Sequence, residues 1–243
     1  MKTTFLYTAV ILLMLPVTSC GELQQKTDIN TAITPEKREG AAYERFLMLN
    51  TRVQHNRGEI DLLFIGDSIT ERWETVGKDV WQEYYGNLKA LNLGIGADRT
   101  QHVLWRLENE NVNGIEPKIA VVLIGTNNSG AGRNTTHEMH TGVVAVVEKL
   151  LEKLPNTEIL LLGIFPRGRT FNEQRGKIIQ VNQALRLLEK HNRVHFLDFG
   201  QRFLEKGGTI PESIMPDAVH LSEEGYQIWA EAMEPLIEVL LSP

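Results

Sequence analysis

The 243-residue sequence predicts an α/β domain, a five-stranded parallel sheet with helices packed on both faces. Two patterns carry that prediction. Five short runs rich in Leu, Ile and Val are too short for helices and nearly continuous in apolar content, as strands buried on both faces should be. The stretches between them have helical spacing and are long enough for the crossovers that parallel pairing requires. Composition agrees. With 42% hydrophobic residues, 23% charged residues and a single cysteine, disordered, fibrous and multi-span membrane classes are excluded, as is a disulfide framework or a multi-cysteine metal site within one chain. A formal net charge of −6 argues against nucleic acid or anionic lipid headgroups as partners.

In chain order, the first element is an export signal. Met1-Lys2 is a short basic start, and Phe5 to Val17 is an almost unbroken apolar run of 13 residues. A helix needs about 20 residues to span a bilayer, so residues 1–19 read as a signal peptide. The lone cysteine, Cys20, follows Leu15-Pro16-Val17-Thr18-Ser19. This resembles a bacterial lipobox, in which small side chains fit the peptidase cleft and the thiol is alkylated with lipid. An ordinary secretory signal that ends near a cysteine is the other reading of the same residues. Acyl chains at about 0.8 kcal/mol per buried CH₂ would hold the protein on a membrane, the only membrane contact expected of it. Gly21 to Thr34 is polar and without apolar period, so residues 20–35 are expected to form a lipidated tether and 36–243 the folded domain. The localisation that follows is that of an exported bacterial lipoprotein, anchored on the periplasmic side or at the cell surface.

Strands are expected at Asp61–Ile65, Leu88–Leu93, Ile119–Ile124, Glu158–Phe165 and Val194–Phe199. Met139, Val143, Val146, Val147, Leu150 and Leu154 form one helical stripe, and Ile178, Val181, Leu185 and Leu188 another. A last helix begins with Ser222 as N-cap, Glu223 and Glu224 favouring its positive end. In parallel sheets ligands bind beyond the carboxyl ends of the strands. There the chain carries Gly66-Asp67-Ser68, Gly94-Ile95-Gly96-Ala97-Asp98, Gly125-Thr126-Asn127-Asn128 and, after the fifth strand, Asp217-Ala218-Val219-His220.

Several motifs fail on inspection. A dinucleotide fingerprint starting at Gly94 has Arg99 in place of its third glycine, and no Lys-Ser/Thr completes a P-loop after Gly130. His137-Glu138-Met139-His140 has its histidines three apart rather than four, which suits a solvated helix start better than zinc. The nucleophile elbow G-x-S-x-G is broken by Thr70, which disfavours the α/β-hydrolase fold.

What remains is chemically coherent. A serine hydroxyl needs an imidazole base, and that base needs an orienting acid. Ser68 at a strand-to-helix junction is the candidate nucleophile, His220 the base and Asp217 its acid. The backbone N–H groups of Ser68 and Ala97 and the side-chain amide of Asn127 are candidate oxyanion donors. Singly, each has an ordinary explanation: a helix cap, a turn residue, a surface histidine. Four such elements at successive strand ends do not.

These residues resemble an SGNH hydrolase of the GDSL type, here Gly66-Asp67-Ser68-Ile69. Within that group the sequence is similar to the catalytic subunits of intracellular platelet-activating-factor acetylhydrolases and their bacterial relatives. Asn92 to Leu107, Gly125 to Asn128 and Gly163 to Gly168 are the matching stretches. The resemblance implies a flavodoxin-like three-layer α/β/α fold, ester hydrolysis without metal or cofactor, and the roles given above for Ser68, His220, Asp217 and Asn127. Two positions depart from the pattern. Ala97 stands where the family has an oxyanion glycine; it keeps the N–H, but at positive φ its methyl adds strain of about 1 kcal/mol or more. Asn128 replaces a common aspartate, though the acetylhydrolase branch also has asparagine there.

The expected activity is removal of short acyl groups, acetyl above all, with O-acetylated carbohydrates as substrates and lipid esters as the alternative. A lipoprotein that only binds acylated glycans on an inactive scaffold is the reading from a different class. Ile69 and Val219, β-branched neighbours of nucleophile and base, are candidate walls of the acyl site.

Overall fold

The computed structural model describes residues 29–242. The signal peptide, Cys20 and most of the expected tether lie outside them. Five parallel strands, β1 Gly58–Gly66, β2 Ala90–Asn92, β3 Ile115–Leu123, β4 Glu158–Leu162 and β5 Val194–Leu197, form one sheet in the order β2-β1-β3-β4-β5. That is the flavodoxin-like order, with its switch point between β1 and β3. The helices are α1 Ala41–His55, α2 Ser68–Glu71, α3 Lys78–Tyr85, α4 Thr100–Glu108, α5 Thr136–Lys153, α6 Glu173–Leu185 and α7 Glu223–Leu241. No helix among the described residues is long and apolar enough to cross a membrane.

Strand alternation sorts the core into two layers. Leu63, Ile65, Ala120, Val122, Ile159 and Leu161 face a cluster completed by α1, α4, α5 and α6. Leu62, Phe64, Ile119, Val121, Leu160 and Leu162 face a second cluster completed by α3 and α7, with Trp73 and Trp229 fully buried. Both faces are therefore covered, and the expected three-layer α/β/α architecture is observed. The stripe from Met139 to Leu150 is buried on α5, and Leu154 is that helix's C-cap. Ser222 caps α7 by accepting from the Gly225 N–H. Glu138 closes a capping box with Thr135 at the start of α5, so the His-Glu-Met-His stretch is a helix start.

Strand limits depart from expectation where polarity misleads. β1 begins three residues before Asp61, at Gly58, and β3 begins at Ile115 rather than Ile119. The lower end of β3 alternates between buried and exposed positions and the first two residues of β1 are both exposed, so neither has the continuous apolar signature. Conversely, Ile164, Phe165 and Phe199 are buried beyond the ends of β4 and β5 without belonging to a strand. Leu188 falls in a 3₁₀ turn, Arg186–Lys190, after α6.

Part of the segment expected to be tether is folded. Thr31–Ile33 forms a 3₁₀ turn capped by Asn30, and Ala32 is fully buried. The folded unit thus includes residues 30–35, not only 36 onward. Their polar composition concealed this because the docking uses backbone and side-chain hydrogen bonds rather than an apolar stripe.

Candidate active site

β1 delivers Gly66-Asp67-Ser68 to the switch point. A Cβ at Gly66 would lie 2.1 Å from Thr70 Oγ1 and 2.4 Å from the Leu123 carbonyl oxygen, so only glycine permits the turn so close to β3. Asp67 caps α2 by accepting from the Ile69 N–H at 3.0 Å. The Tyr226 hydroxyl of α7 donates to the Ile69 carbonyl at 2.6 Å and pins α2 from the other side. Ser68, at the first position of α2, projects at the sheet's mouth with its N–H finding no acceptor among the described residues.

The Ser68 hydroxyl lies 2.9 Å from His220 Nε2, although 152 residues separate the two in sequence. His220 Nδ1 lies 2.6 Å from Asp217 Oδ2. An ionised carboxylate only accepts, so Nδ1 carries the proton and Nε2 is free to accept from the serine hydroxyl. Partial burial works to raise the Asp217 pKa, but hydrogen bonds from the His220 ring and from the His220 and Val219 N–H groups outweigh it and hold the carboxyl at about 2. The loop carrying these residues is braced: Arg169 donates to the Ile210, Met215 and Pro216 carbonyls, and the Gly168 N–H donates to the Ala218 carbonyl.

The loop after β2 comes up beside the same serine. A Cβ at Gly96 would stand 4.0 Å from Ser68 Cβ, which puts the loop after β2 against the serine. The Gly96 N–H is committed to the Glu71 carboxylate, whereas the Ala97 N–H has no acceptor among the described residues. Ala97 is exposed and has φ +60°, so of the two conformations open to it the strained one is realised. Ala218, two residues before His220, also has φ +60°. The Asn127 amide donates to the Asp98 carbonyl at 2.9 Å and approaches Asp67 Oδ2 at 3.3 Å.

Ile69 does not surface at this site. It is 2% exposed and belongs to the apolar cluster on the α7 side, because α2 turns that face into the core. Val219 is half-buried and keeps surface beside His220.

The part played by three charged groups escaped the sequence reading. Arg106 is buried on α4, where its guanidinium donates to Asp98 Oδ2 at 2.9 Å, the Leu93 carbonyl at 3.0 Å, Asn111 Oδ1 at 2.6 Å and the Gly66 carbonyl at 3.3 Å. It thereby ties the ends of β1 and β2 to the loop that carries Ala97. An arginine set among the buried Val103, Leu104 and Leu107 was the available signal. Asp67 itself is buried, and burial pushes its carboxyl up to about 7, opposed by the Ile69 N–H and Arg167 and reinforced by Asp98. Arg167, half-buried beside it, donates to the Thr126 carbonyl at 3.0 Å.

A doubly wound sheet with a hydroxyl, an imidazole and a carboxylate in line at its switch point has the arrangement of the acyl-transferring hydrolases. Comparison with known proteins is more specific. Residues 64–228 match the model of the GDSL-like Lipase/Acylhydrolase family. The chain is 42% identical over 185 residues to the platelet-activating factor acetylhydrolase IB subunit alpha1 of Homo sapiens, covering 76% of this chain and 78% of that protein. It is 39% identical over 196 residues to the alpha2 subunit of Rattus norvegicus, covering 77% and 82%. Among solved structures, a GDSL-like lipase from Bacteroides thetaiotaomicron superposes with TM-score 0.64 at 20% identity, over 81% of this chain and 97% of that one. An acetylxylan esterase from Geobacillus stearothermophilus superposes with TM-score 0.59 at 20% identity, over 73% and 94%. At such identity the superpositions speak for the fold. The chain belongs to the GDSL-like lipase/acylhydrolase family and is a carboxylic ester hydrolase.

Proposed function

We propose that this hydrolase removes short acyl groups, acetyl above all, from O-acetylated carbohydrates by a Ser68–His220–Asp217 mechanism. The observation that carries the mechanism is the unbroken line from Ser68 Oγ through both imidazole nitrogens to Asp217, at 2.9 and 2.6 Å. In that mechanism Ser68 Oγ attacks the ester carbonyl as His220 Nε2 takes its proton. Asp217, ionised over the whole working range, keeps the imidazole in the right tautomer and stabilises the imidazolium. His220 then protonates the departing alkoxide, and water attacks the acyl-serine with His220 again as base. The uncommitted N–H groups of Ser68 and Ala97 receive the oxyanion. Asn127 supplies the third donor from the hydrogen now reaching Asp67 at 3.3 Å, beyond the usual N–H···O range.

Acetyl specificity is supported by the acetylhydrolase subunits to which the chain is 42% identical. The carbohydrate carrier is supported by the exported, Cys20-anchored localisation read from the N-terminus, where O-acetylated glycans are met. The polar flank of Asn127, Arg167 and Asp217 suits such a substrate. Those same relatives favour a second reading, a lipid ester such as a platelet-activating-factor analogue, within identical chemistry. A protein that merely binds acylated glycans would have no use for the aligned triad.

Labelling with an active-site fluorophosphonate tests the mechanism. Wild type should label stoichiometrically, and Ser68→Ala should neither label nor turn over p-nitrophenyl acetate above a trace while remaining folded. More than trace turnover in Ser68→Ala rejects it. A parallel screen of acetylated sugars against acetylated lysolipids decides the carrier.

A further inference from the structure

We propose that the segment Asn30–Ile33, the first turn of the folded unit, is a positioning strap for the oxyanion side of the active site; the inference rests on the reading of that site given above. Ala32 is fully buried in a slot on α5. The slot exists because residue 142 is glycine: a Cβ there would lie 2.9 Å from Ala32 Cβ and 2.5 Å from Thr100 Oγ1. In the slot the Ala32 carbonyl accepts from the Thr100 hydroxyl at 2.7 Å. On either side of it, Asn30 Nδ2 donates to Thr141 Oγ1 at 2.8 Å, and Asn134 Nδ2 donates to Thr31 Oγ1 at 3.0 Å. A segment with no apolar period is therefore docked by three separate polar contacts and one buried methyl.

What the strap touches gives it a function. Thr100 and Asn134 are the two ends of a buried polar cluster centred on Asn128, which is fully buried. Asn128 Oδ1 accepts from the Thr100 N–H at 3.1 Å, and its amide reaches Thr100 Oγ1 at 3.1 Å, Gln101 Oε1 at 3.3 Å and Asn134 Oδ1 at 2.9 Å. Asn128 directly follows Asn127, and Thr100 stands two residues after Asp98, the carbonyl that holds the Asn127 amide. The cluster thus fastens the loop after β2 to the loop after β3, the two loops that bear Ala97 and Asn127. The strap closes the cluster from outside. Without it the Thr100 hydroxyl and the Asn134 amide lose their acceptors, and water reaches a network that works only when every member is satisfied. The loops then lose their mutual register, and the oxyanion donors lose their convergence.

The test uses the full mature chain, p-nitrophenyl acetate kinetics and thermal melting. Ala32→Glu puts a charged side chain into a slot sized for a methyl and unseats the strap. Its kcat should fall about 10- to 100-fold, the scale of a donor misplaced by about 1 Å, with KM changed by less than about twofold. Ala32→Gly, which keeps the carbonyl in place, should stay within about twofold of wild type in kcat, since the hydrogen bond to Thr100 survives. Should Ala32→Glu fail to fold, Thr31→Val removes the hydroxyl that accepts from Asn134 while leaving the bonds around Asn128 untouched, and should give a smaller loss, again confined to kcat. The discriminating readout is a double-mutant cycle: Ala32→Glu combined with Asn127→Ala should cost clearly less than the product of the two single losses, because part of the strap's effect runs through that donor. Losses that multiply, or an unseated strap that leaves kcat within twofold, overturn the inference. If instead Asn127→Ala or Ser68→Ala leaves activity intact, it is the reading of the site that fails.

Discussion

Replacing Ala97 with glycine separates the two jobs that residue performs. Its N–H has no acceptor among the described residues and lies on the loop beside Ser68, while its methyl sits at φ +60°, a conformation that costs an L-residue about 1 kcal/mol or more. Ala97 is exposed, so removing the methyl sacrifices no buried contact. Glycine relieves the strain but adds unfolded-state freedom worth about 0.4–1 kcal/mol, so the two nearly cancel. In a domain of this size about 1 kcal/mol moves Tm by about 2–4 °C, and the net shift should be smaller than that and upward if anything. Only a backbone N–H is asked of the site, so kcat on p-nitrophenyl acetate should change by less than about threefold. Asn127→Ala, which deletes a donor, should cost about 10²–10³. Calorimetry and initial rates on the two variants decide the matter. A hundredfold gain for Ala97→Gly would mean that the native alanine impairs the oxyanion site. A hundredfold loss would mean that the methyl itself contributes, and either result refutes the division of labour.

Three further outcomes are expected. Asp67, raised by burial from 3.8 to about 7, binds its proton more tightly folded than unfolded. Its stabilising contribution is complete below the unfolded pKa and disappears as pH climbs through 7, so Tm should fall between pH 4 and 8 more in wild type than in Asp67→Asn; parallel curves would contradict the assignment. Wild type expressed with its N-terminus should partition into detergent phase, and Cys20→Ala should be soluble or uncleaved; equal partitioning would reject lipidation. If Val219 bounds the acyl site, overpacking at about 1–3 kcal/mol should make rates fall steeply from acetate to butyrate. Val219→Ala should then lengthen the preferred chain, while buried Ile69 acts only through packing; an unchanged profile, or a wild-type preference for octanoate, defeats the idea.

Periodic and local features of this protein were determined by the sequence itself. Strand cores such as Leu62–Ile65 and the α5 stripe declare themselves because burial on two faces or one demands a fixed spacing of apolar residues. Ser222 as a cap, Gly66-Asp67-Ser68 at a strand end and Asp217 three residues from His220 are legible because their geometry is settled within one turn of chain. Other features exist only after distant segments meet. Polar strand starts at Gly58 and Ile115 are strand because neighbours pair with them, whatever their composition. Ile69 is as apolar as a pocket wall should be, yet the packing of α2 turns it inward. The commitment of Gly96 to Glu71, the hold of Arg106 on the Gly66 carbonyl and the docking of Ala32 against Gly142 are set by contacts between residues far apart in the chain. Hydrogen bonds between polar groups have no sequence period, so a network that positions donors becomes visible only once the fold has supplied its partners.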